Sequence, residues 1–506
     1  MGDPTISLQS QQARSQAYGL LIGGEDVDAA GGATYDAVNP TTGQVWATHA
    51  LAGAVDVDRA VGAAGAAFES EAWRGLSPTR RGRLLLRFAD LISERAEEIA
   101  AVEVQDNGKL YKEMLAQLRV IPDWLYYFGG LADKIEGRVI PLDRTSVFNY
   151  TLREPLGVVG IIIPWNSPVL LTMYTLAPAL AAGNTVVVKP SEHAGASVLE
   201  TLRLAAEAGF PPGVINVVTG ERQTGESLVD HPGVAKISFT GSERTGAAIA
   251  ARAGARLAQV ALELGGKSPN IVFPDAALDA AEAGILSGIF AAGGQSCVAG
   301  SRALLHREIH DELLERVTSR TSAVVLGDPM DAATQMGPIA NPPQLARVES
   351  MVAAAREGGA TVVTGGGRAT VDAFPEGLFY EPTIVNGVGN EATIAQDEVF
   401  GPVLTVLPFE TEEEAIAIAN DTRFGLASGI WTRDLKRAHR VARALKAGTV
   451  WINTYRAITF NSPFGGVKES GFGRVNGAEA IDGYLQTKSV WTELSDEVSD
   501  PFVMKV

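Results

Sequence analysis

Short β-branched runs alternate with helical stretches along this chain, and that alternation restricts its fold more than any other feature. Val158-Val159-Gly160-Ile161-Ile162-Ile163 is halted by Pro164 and reads as a buried strand. Residues 185–189 and 214–218 supply two more strands, with a helical stretch at 194–208 between them. Parallel strands need a crossover connection, so this succession implies βαβ units and a parallel sheet. A second series follows Gly265-Gly266, with strands at 269–273 and 302–306 and helices at 278–291, 308–325 and 345–357. The fold class is therefore α/β, with two parallel-sheet lobes joined near Gly265.

Upstream, residues 55–112 have helical period, with Leu84, Leu85, Phe88, Leu91 and Ile92 on one stripe. The stretch before Gly43 is turn-rich with short strands. The tail at 484–494 alternates like a strand but has no neighbour in sequence to pair with. It either returns to the body or adds to another subunit.

At 506 residues the chain has room for about three domains. A net charge of −17 argues against a nucleic-acid or anionic-membrane footprint. The most apolar region, 157–188, is interrupted by Pro164, Pro168, Pro178 and Gly183-Asn184, so it is a core segment and not a membrane span. Residues 1–16 are polar and carry no secretory pattern, and the expected location is the cytoplasm.

Cys297 is the only cysteine. It has no partner for an intramolecular disulfide, so it is either a small buried hydrophobe or a nucleophile. Its setting, Gly293-Gly294-Gln295-Ser296-Cys297, lets backbone amides approach a reacting carbonyl. Asn166, in Pro164-Trp165-Asn166 after a strand, offers an amide to an oxyanion, with the Cys297 backbone N–H as second donor. Taken alone, an asparagine satisfying loop backbone is the favoured reading.

Glu263 lies between Leu262 and Leu264, where burial would raise its pKa toward the general-base range, unless it pairs with Lys267. Lys189 and Glu192, with Ser191 between them, end another strand; the two charged groups suit ribose hydroxyls, with the Glu192 carboxylate repelling a 2′-phosphate, while the isolated motif reads as a solvated charge pair. Phe239-Thr240-Gly241-Ser242, with Gly246 beyond, offers amides and a hydroxyl to a diphosphate at a helix N-terminus. His306 and His310 have helical spacing, but Arg307 stands where a metallopeptidase helix needs glutamate, and no metal is expected. The other histidines lie in no nucleophile signature.

Together these motifs resemble the aldehyde dehydrogenase superfamily. Pro164-Trp165-Asn166, Lys189-Pro190-Ser191-Glu192, Phe239-Thr240-Gly241-Ser242, Glu263-Leu264-Gly265-Gly266-Lys267 and Gly294-Gln295-Ser296-Cys297 carry the likeness. Glu398-Val399-Phe400-Gly401-Pro402-Val403 and Pro463-Phe464-Gly465-Gly466-Val467-Lys468 complete it, covering residues from about 20 to 495 in family order. The resemblance implies an NAD-binding domain (1–146 and 156–264), a catalytic domain (265–455) and a small β oligomerisation flap (147–155 and 484–496). It places 456–483 at the substrate entrance and implies a homodimer or homotetramer.

By the same resemblance, Cys297 attacks an aldehyde, Asn166 holds the oxyanion, hydride passes to NAD⁺ and water activated by Glu263 hydrolyses the thioester. Glu398 would hold the nicotinamide ribose and Phe400 the ring. Trp165, Ser242 and Gly225 would line the adenosine and diphosphate site, with Ile163, Phe239, Gly241, Gly246 and Leu264 completing the cofactor set. NADP⁺ remains an alternative if Glu192 swings away.

The chain departs from its relatives at the substrate. Ser167 replaces a frequent phenylalanine, and Tyr174, Ser296, Val298, Ile458 and Phe464 complete a mixed pocket that would admit a bulkier or more polar aldehyde. Arg456 at the entrance suggests an anionic aldehyde, or is simply a surface arginine. Val475 stands where relatives often carry a second glutamate base. The alternatives are a CoA-acylating dehydrogenase, which usually lacks the general-base glutamate, and a homologue that kept the fold without turnover.

Overall fold

The computed structural model describes residues 16–498 and Phe502. The polar segment before Gln16, on which the leader reading rested, falls outside them.

An eight-stranded sheet forms the first half. Its order is Gly471–Phe472, Gln259–Glu263, Val234–Thr240, Val158–Ile162, Thr185–Lys189, Ile215–Val217, Leu20–Ile22 and Glu25–Val27. The five central strands are parallel, and antiparallel partners close both edges. Val158–Ile162 and Thr185–Lys189 are buried throughout, which is why they read as unbroken β-branched runs. The first run stops one residue short of its expected end, at Ile162, just before Pro164.

The second sheet has seven strands, ordered Thr361–Thr364, Thr383–Asn386, Val403–Phe409, Arg302–His306, Pro269–Val272, Ala427–Trp431 and Thr449–Ile452. All pairs are parallel except the one at Thr361–Thr364. The stretch expected to be helical at 55–112 is several helices, chiefly Ala54–Glu69, Pro78–Glu94 and Ala96–Asn107. Ser77 caps the second by accepting from the Arg80 N–H, and Pro78 opens it, a start signal inside the periodic stretch. His306 caps helix Arg307–Ser322, accepting from the Glu308 N–H at 3.3 Å.

The unpaired tail finds its partner within the same chain. Leu485–Glu493 runs antiparallel to Val147–Pro155, from Leu485 opposite Pro155 to Glu493 opposite Val147, with Val139–Ile140 as third strand. Before reaching it the chain returns from the second sheet to the first, where Gly471 pairs with Glu263. That return carries Phe464, Val475 and Tyr484 into the same core as Val159, Ile161 and Val298. The candidate site lies in this crevice, beyond the carboxyl ends of the parallel strands.

Candidate active site

Pro164 ends the strand Val158–Ile162, and Asn166 follows it into the crevice, 6 % exposed. Its Nδ2 donates to the Gln295 carbonyl at 3.1 Å, which uses one of two N–H groups. Gln295 is itself locked, with its Oε1 accepting from Ala340 N–H at 2.9 Å. The loop bearing Cys297 is thereby tied to the loop bearing Asn166. Gly293 and Gly294 adopt left-handed backbone (φ 60° and 69°), and a Cβ on Gly294 would collide with the Gly401 carbonyl. Glycine there is a steric requirement of the loop.

A cavity of about 380 Å³ brings together Trp165, Asn166, Gly241, Ser242, Glu263, Leu264, Cys297, Glu398 and Phe400. These nine residues come from five separated motifs. Burial, with Glu398 and Glu263 nearby, pushes the Cys297 thiol up to about 12; Arg456 and the Val298 N–H oppose the rise. Burial also raises the Glu263 carboxyl well above the usual range, opposed by Arg474. Neither carboxylate oxygen of Glu263 has a hydrogen-bond partner, and its charged neighbour is Arg474 and not Lys267. Burial likewise lifts Glu398 to about 7, while its Oε1 accepts from the Gly266 N–H at 3.0 Å.

Phe400 has a left-handed backbone (φ 56°) and meets Trp165 edge-to-face at 5.3 Å. Gln344 fixes it, with Nε2 donating to the Val399 and Phe400 carbonyls at 2.8 and 2.9 Å, and Arg347 donates to the Glu398 carbonyl at 2.6 Å. Neither residue carries a local sequence signal.

At Phe239-Thr240-Gly241-Ser242 the donor set differs from the expected one. The Gly241 amide already donates to the Glu263 carbonyl at 3.1 Å, and the Gly246 amide to the Ser242 carbonyl at 2.9 Å. Ser242 caps helix Glu243–Ala255 by accepting from the Thr245 N–H, so the Glu243 and Arg244 N–H groups are what remain to meet an anion. Gly241 serves by close approach, since a Cβ there would run into the Phe239 ring.

Lys189, Ser191, Glu192 and Gly225 lie outside the cavity lining but belong together. Lys189 Nζ is 3.8 Å from Glu192 Oε2, Ser191 Oγ donates to the same oxygen at 3.4 Å, and Gly225 faces the Lys189 stem. Burial opposes ionisation of Glu192, but Lys189 prevails and holds its carboxyl below the usual range. Ile163 ties this group to the site, its N–H donating to the Lys189 carbonyl at 3.0 Å.

On the substrate side, Tyr174 stacks on Trp124 at 5.0 Å, and Ile458 packs against the core that holds Val298 and Phe464. Ser296 accepts from the Ala299 N–H. Ser167, where the resemblance leads to the expectation of a ring, accepts from Lys109 Nζ at 2.8 Å and so has a buried ammonium beside it. Lys109 was not expected here; it follows Asn107-Gly108 at a helix end, and lysine alone seldom signals burial. Arg456, half-buried, donates to the Ser287 and Ala291 carbonyls at 3.2 Å and forms no ion pair among the described residues.

Comparisons with known proteins identify the family. The profile of the aldehyde dehydrogenase family matches residues 27–490, and the chain belongs to that family. It is 45 % identical to a (Z)-2-((N-methylformamido)methylene)-5-hydroxybutyrolactone dehydrogenase of Acinetobacter baylyi over 97 % of this chain and 100 % of that one. It is 44 % identical to a betaine aldehyde dehydrogenase of Sinorhizobium fredii, over 95 % and 98 %. A crystal structure of Staphylococcus aureus betaine aldehyde dehydrogenase in complex with NAD⁺ superposes with a TM-score of 0.95, at 38 % identity and 98 % coverage of both chains.

Proposed function

We propose that this enzyme oxidises an aldehyde to its carboxylic acid with NAD⁺, through a thioester on Cys297 that Glu263 opens to water. The observation that carries the reading is one cavity holding the cysteine, a buried carboxylate without partners and a spare amide N–H on Asn166. A thiol raised by burial is largely protonated at rest, so attack draws on the thiolate fraction, which releases its proton to solvent and grows with pH. As sulfur adds to the carbonyl carbon, the free Asn166 N–H and the Cys297 backbone amide meet the oxyanion. When bound, NAD⁺ supplies the acceptor that takes hydride from the aldehyde carbon. Glu263 then takes a proton from water as the water adds to the thioester.

The residues present fit a dinucleotide. Phe400 and Trp165 offer walls for a flat ring, Glu398 a ribose acceptor, the helix end at Ser242 diphosphate donors, and the Lys189–Glu192 pair hydroxyl partners. Glu192, kept ionised by Lys189, favours NAD⁺ over NADP⁺ by repelling a 2′-phosphate. Retention of Glu263 supports hydrolysis over CoA acylation. The oligomer follows the same reading. Leu485–Glu493 is an edge strand whose flap exposes Trp491, Phe148 and Leu152, a surface suited to a second copy. No helix among the described residues is long and apolar enough to cross a membrane. A reactive lone thiol suits the reducing cytoplasm.

Two tests belong here. Asn166→Ala should lower kcat about 10²–10³-fold with little change in NAD⁺ affinity, as loss of one oxyanion donor does; an unchanged kcat would remove Asn166 from the chemistry. Arg456 carries a charge that no described carboxylate neutralises, beside the thiol, so the substrate is read as an anionic aldehyde. Arg456→Ala should then lower kcat/KM for a carboxylated aldehyde by about tenfold more than for its neutral analogue, the equivalent of one lost charged contact. Equal losses would return Arg456 to a structural role.

A further inference from the structure

The residues read above as holding the ribose and the diphosphate lie in different lobes. Glu398 precedes Val403–Phe409 of the seven-stranded sheet. Glu243 and Arg244 open the helix Glu243–Ala255, which follows Val234–Thr240 of the eight-stranded sheet. All three line the same cavity, so a dinucleotide seated there touches both lobes. Its grip therefore depends on the distance between them.

Arg423 spans that distance. It stands just ahead of Ala427–Trp431 in the seven-stranded sheet. Its Nη1 donates to Asp397 Oδ1 at 2.6 Å, next to Glu398, and its Nη2 donates across the lobes to Glu243 Oε1 at 2.9 Å. Its Nε is 3.2 Å from Glu469 Oε2, and its guanidinium lies 4.5 Å from the centre of the Phe424 ring. The base of the arm is fixed as well. The Glu469 N–H donates to the Arg423 carbonyl at 3.1 Å. Ser470 Oγ accepts from the Gly425 N–H at 2.9 Å and donates to the Gly265 carbonyl at 2.7 Å. An isolated ion pair at a half-buried position contributes little, but one guanidinium shared by three carboxylates on an anchored backbone is a network with its geometry already set.

We propose that Arg423 is a positioning residue that sets the spacing between the ribose and diphosphate grips and so governs how fast the cofactor leaves. The inference rests on the cofactor reading above. Arg423 does not line the cavity, and it acts through Asp397 and Glu243. Cutting either arm uncouples the two grips, and a dinucleotide then escapes by losing one before the other. Charge alone predicts the reverse sign. Glu243 stands at the helix end that meets the anionic diphosphate, so removing its charge would strengthen anion binding there and slow release.

The test loads the full-length chain with NADH and displaces it with excess NAD⁺ in a stopped-flow fluorimeter. Wild type is compared with the isosteric Glu243→Gln, Asp397→Asn and their double variant. Each single change should speed release about fivefold, the upper end for one half-exposed ion pair. The double variant should release no faster than either single one, because it cuts one bridge twice; independent effects would multiply to about 25-fold. Glu469→Gln, which spares both arms, should stay within about twofold of wild type. Unchanged or slower release from Glu243→Gln, effects that multiply in the double variant, or an equal effect of Glu469→Gln would overturn the bridge. A wild-type chain that does not bind NADH would overturn the cofactor reading itself.

Discussion

Cys297→Ala should lose at least about 10⁴-fold in aldehyde oxidation while still binding NAD⁺, because the nucleophile forms the only covalent link to substrate. The change removes one sulfur from a half-buried position and adds no clash, so folding should be retained. NADH absorbance across a panel of aldehydes measures the loss, and an intrinsic-fluorescence titration checks cofactor binding. Residual turnover within tenfold of wild type would mean that sulfur is not the attacking atom. Loss of NAD⁺ binding together with activity would point to a collapsed cavity instead.

Glu263→Gln has the second large effect, and it separates the two halves of the reaction. Steady-state turnover should fall about 10²–10⁴-fold, the usual worth of a positioned base, while the first turnover still releases NADH. The pH dependence has a definite sign. The competent form is the carboxylate, and burial holds its proton well above the usual range, so wild-type kcat should climb as pH rises and Glu263 ionises. That limb should vanish in the glutamine variant. The burst rate should still climb with pH, because the Cys297 thiol is itself pushed up by burial. A burst lost along with turnover would assign Glu263 to thiol activation alone.

How much of this was legible in the sequence depends on whether local pattern or tertiary contact places a residue. Thr185–Lys189 and Arg302–His306 were readable to the residue, because doubly buried parallel strands are short apolar runs with clear ends. The pairing of Leu485–Glu493 with Val147–Pro155 was not readable from alternation, since the partners lie more than 300 residues apart; only the family resemblance joined them. Three motifs made Cys297, Glu263 and Asn166 legible as residues of one cavity. Gln344 and Arg347 were not, since their work is to hold the backbone of Glu398, Val399 and Phe400 from a helix fifty residues upstream.

Three residues were read too simply. The glycines at 241 and 246 were read as amide donors, and their N–H groups are spent on backbone carbonyls. Glycine content signals close approach, but hydrogen-bond accounting decides which amides remain free. Ser167 was read as space left by a missing ring. The structure sets the buried Lys109 ammonium beside it, which burial pushes down to about 8. A missing side chain in a packed interior is commonly answered by another group.

The most direct measurement is the intact mass of Glu263→Gln after mixing with NAD⁺ and an aldehyde it accepts. The account predicts one NADH per subunit and a covalent adduct equal to the aldehyde less two hydrogens, mapping to Cys297. NADH formed with no adduct, or repeated turnover at the wild-type rate, would contradict a thioester that Glu263 opens.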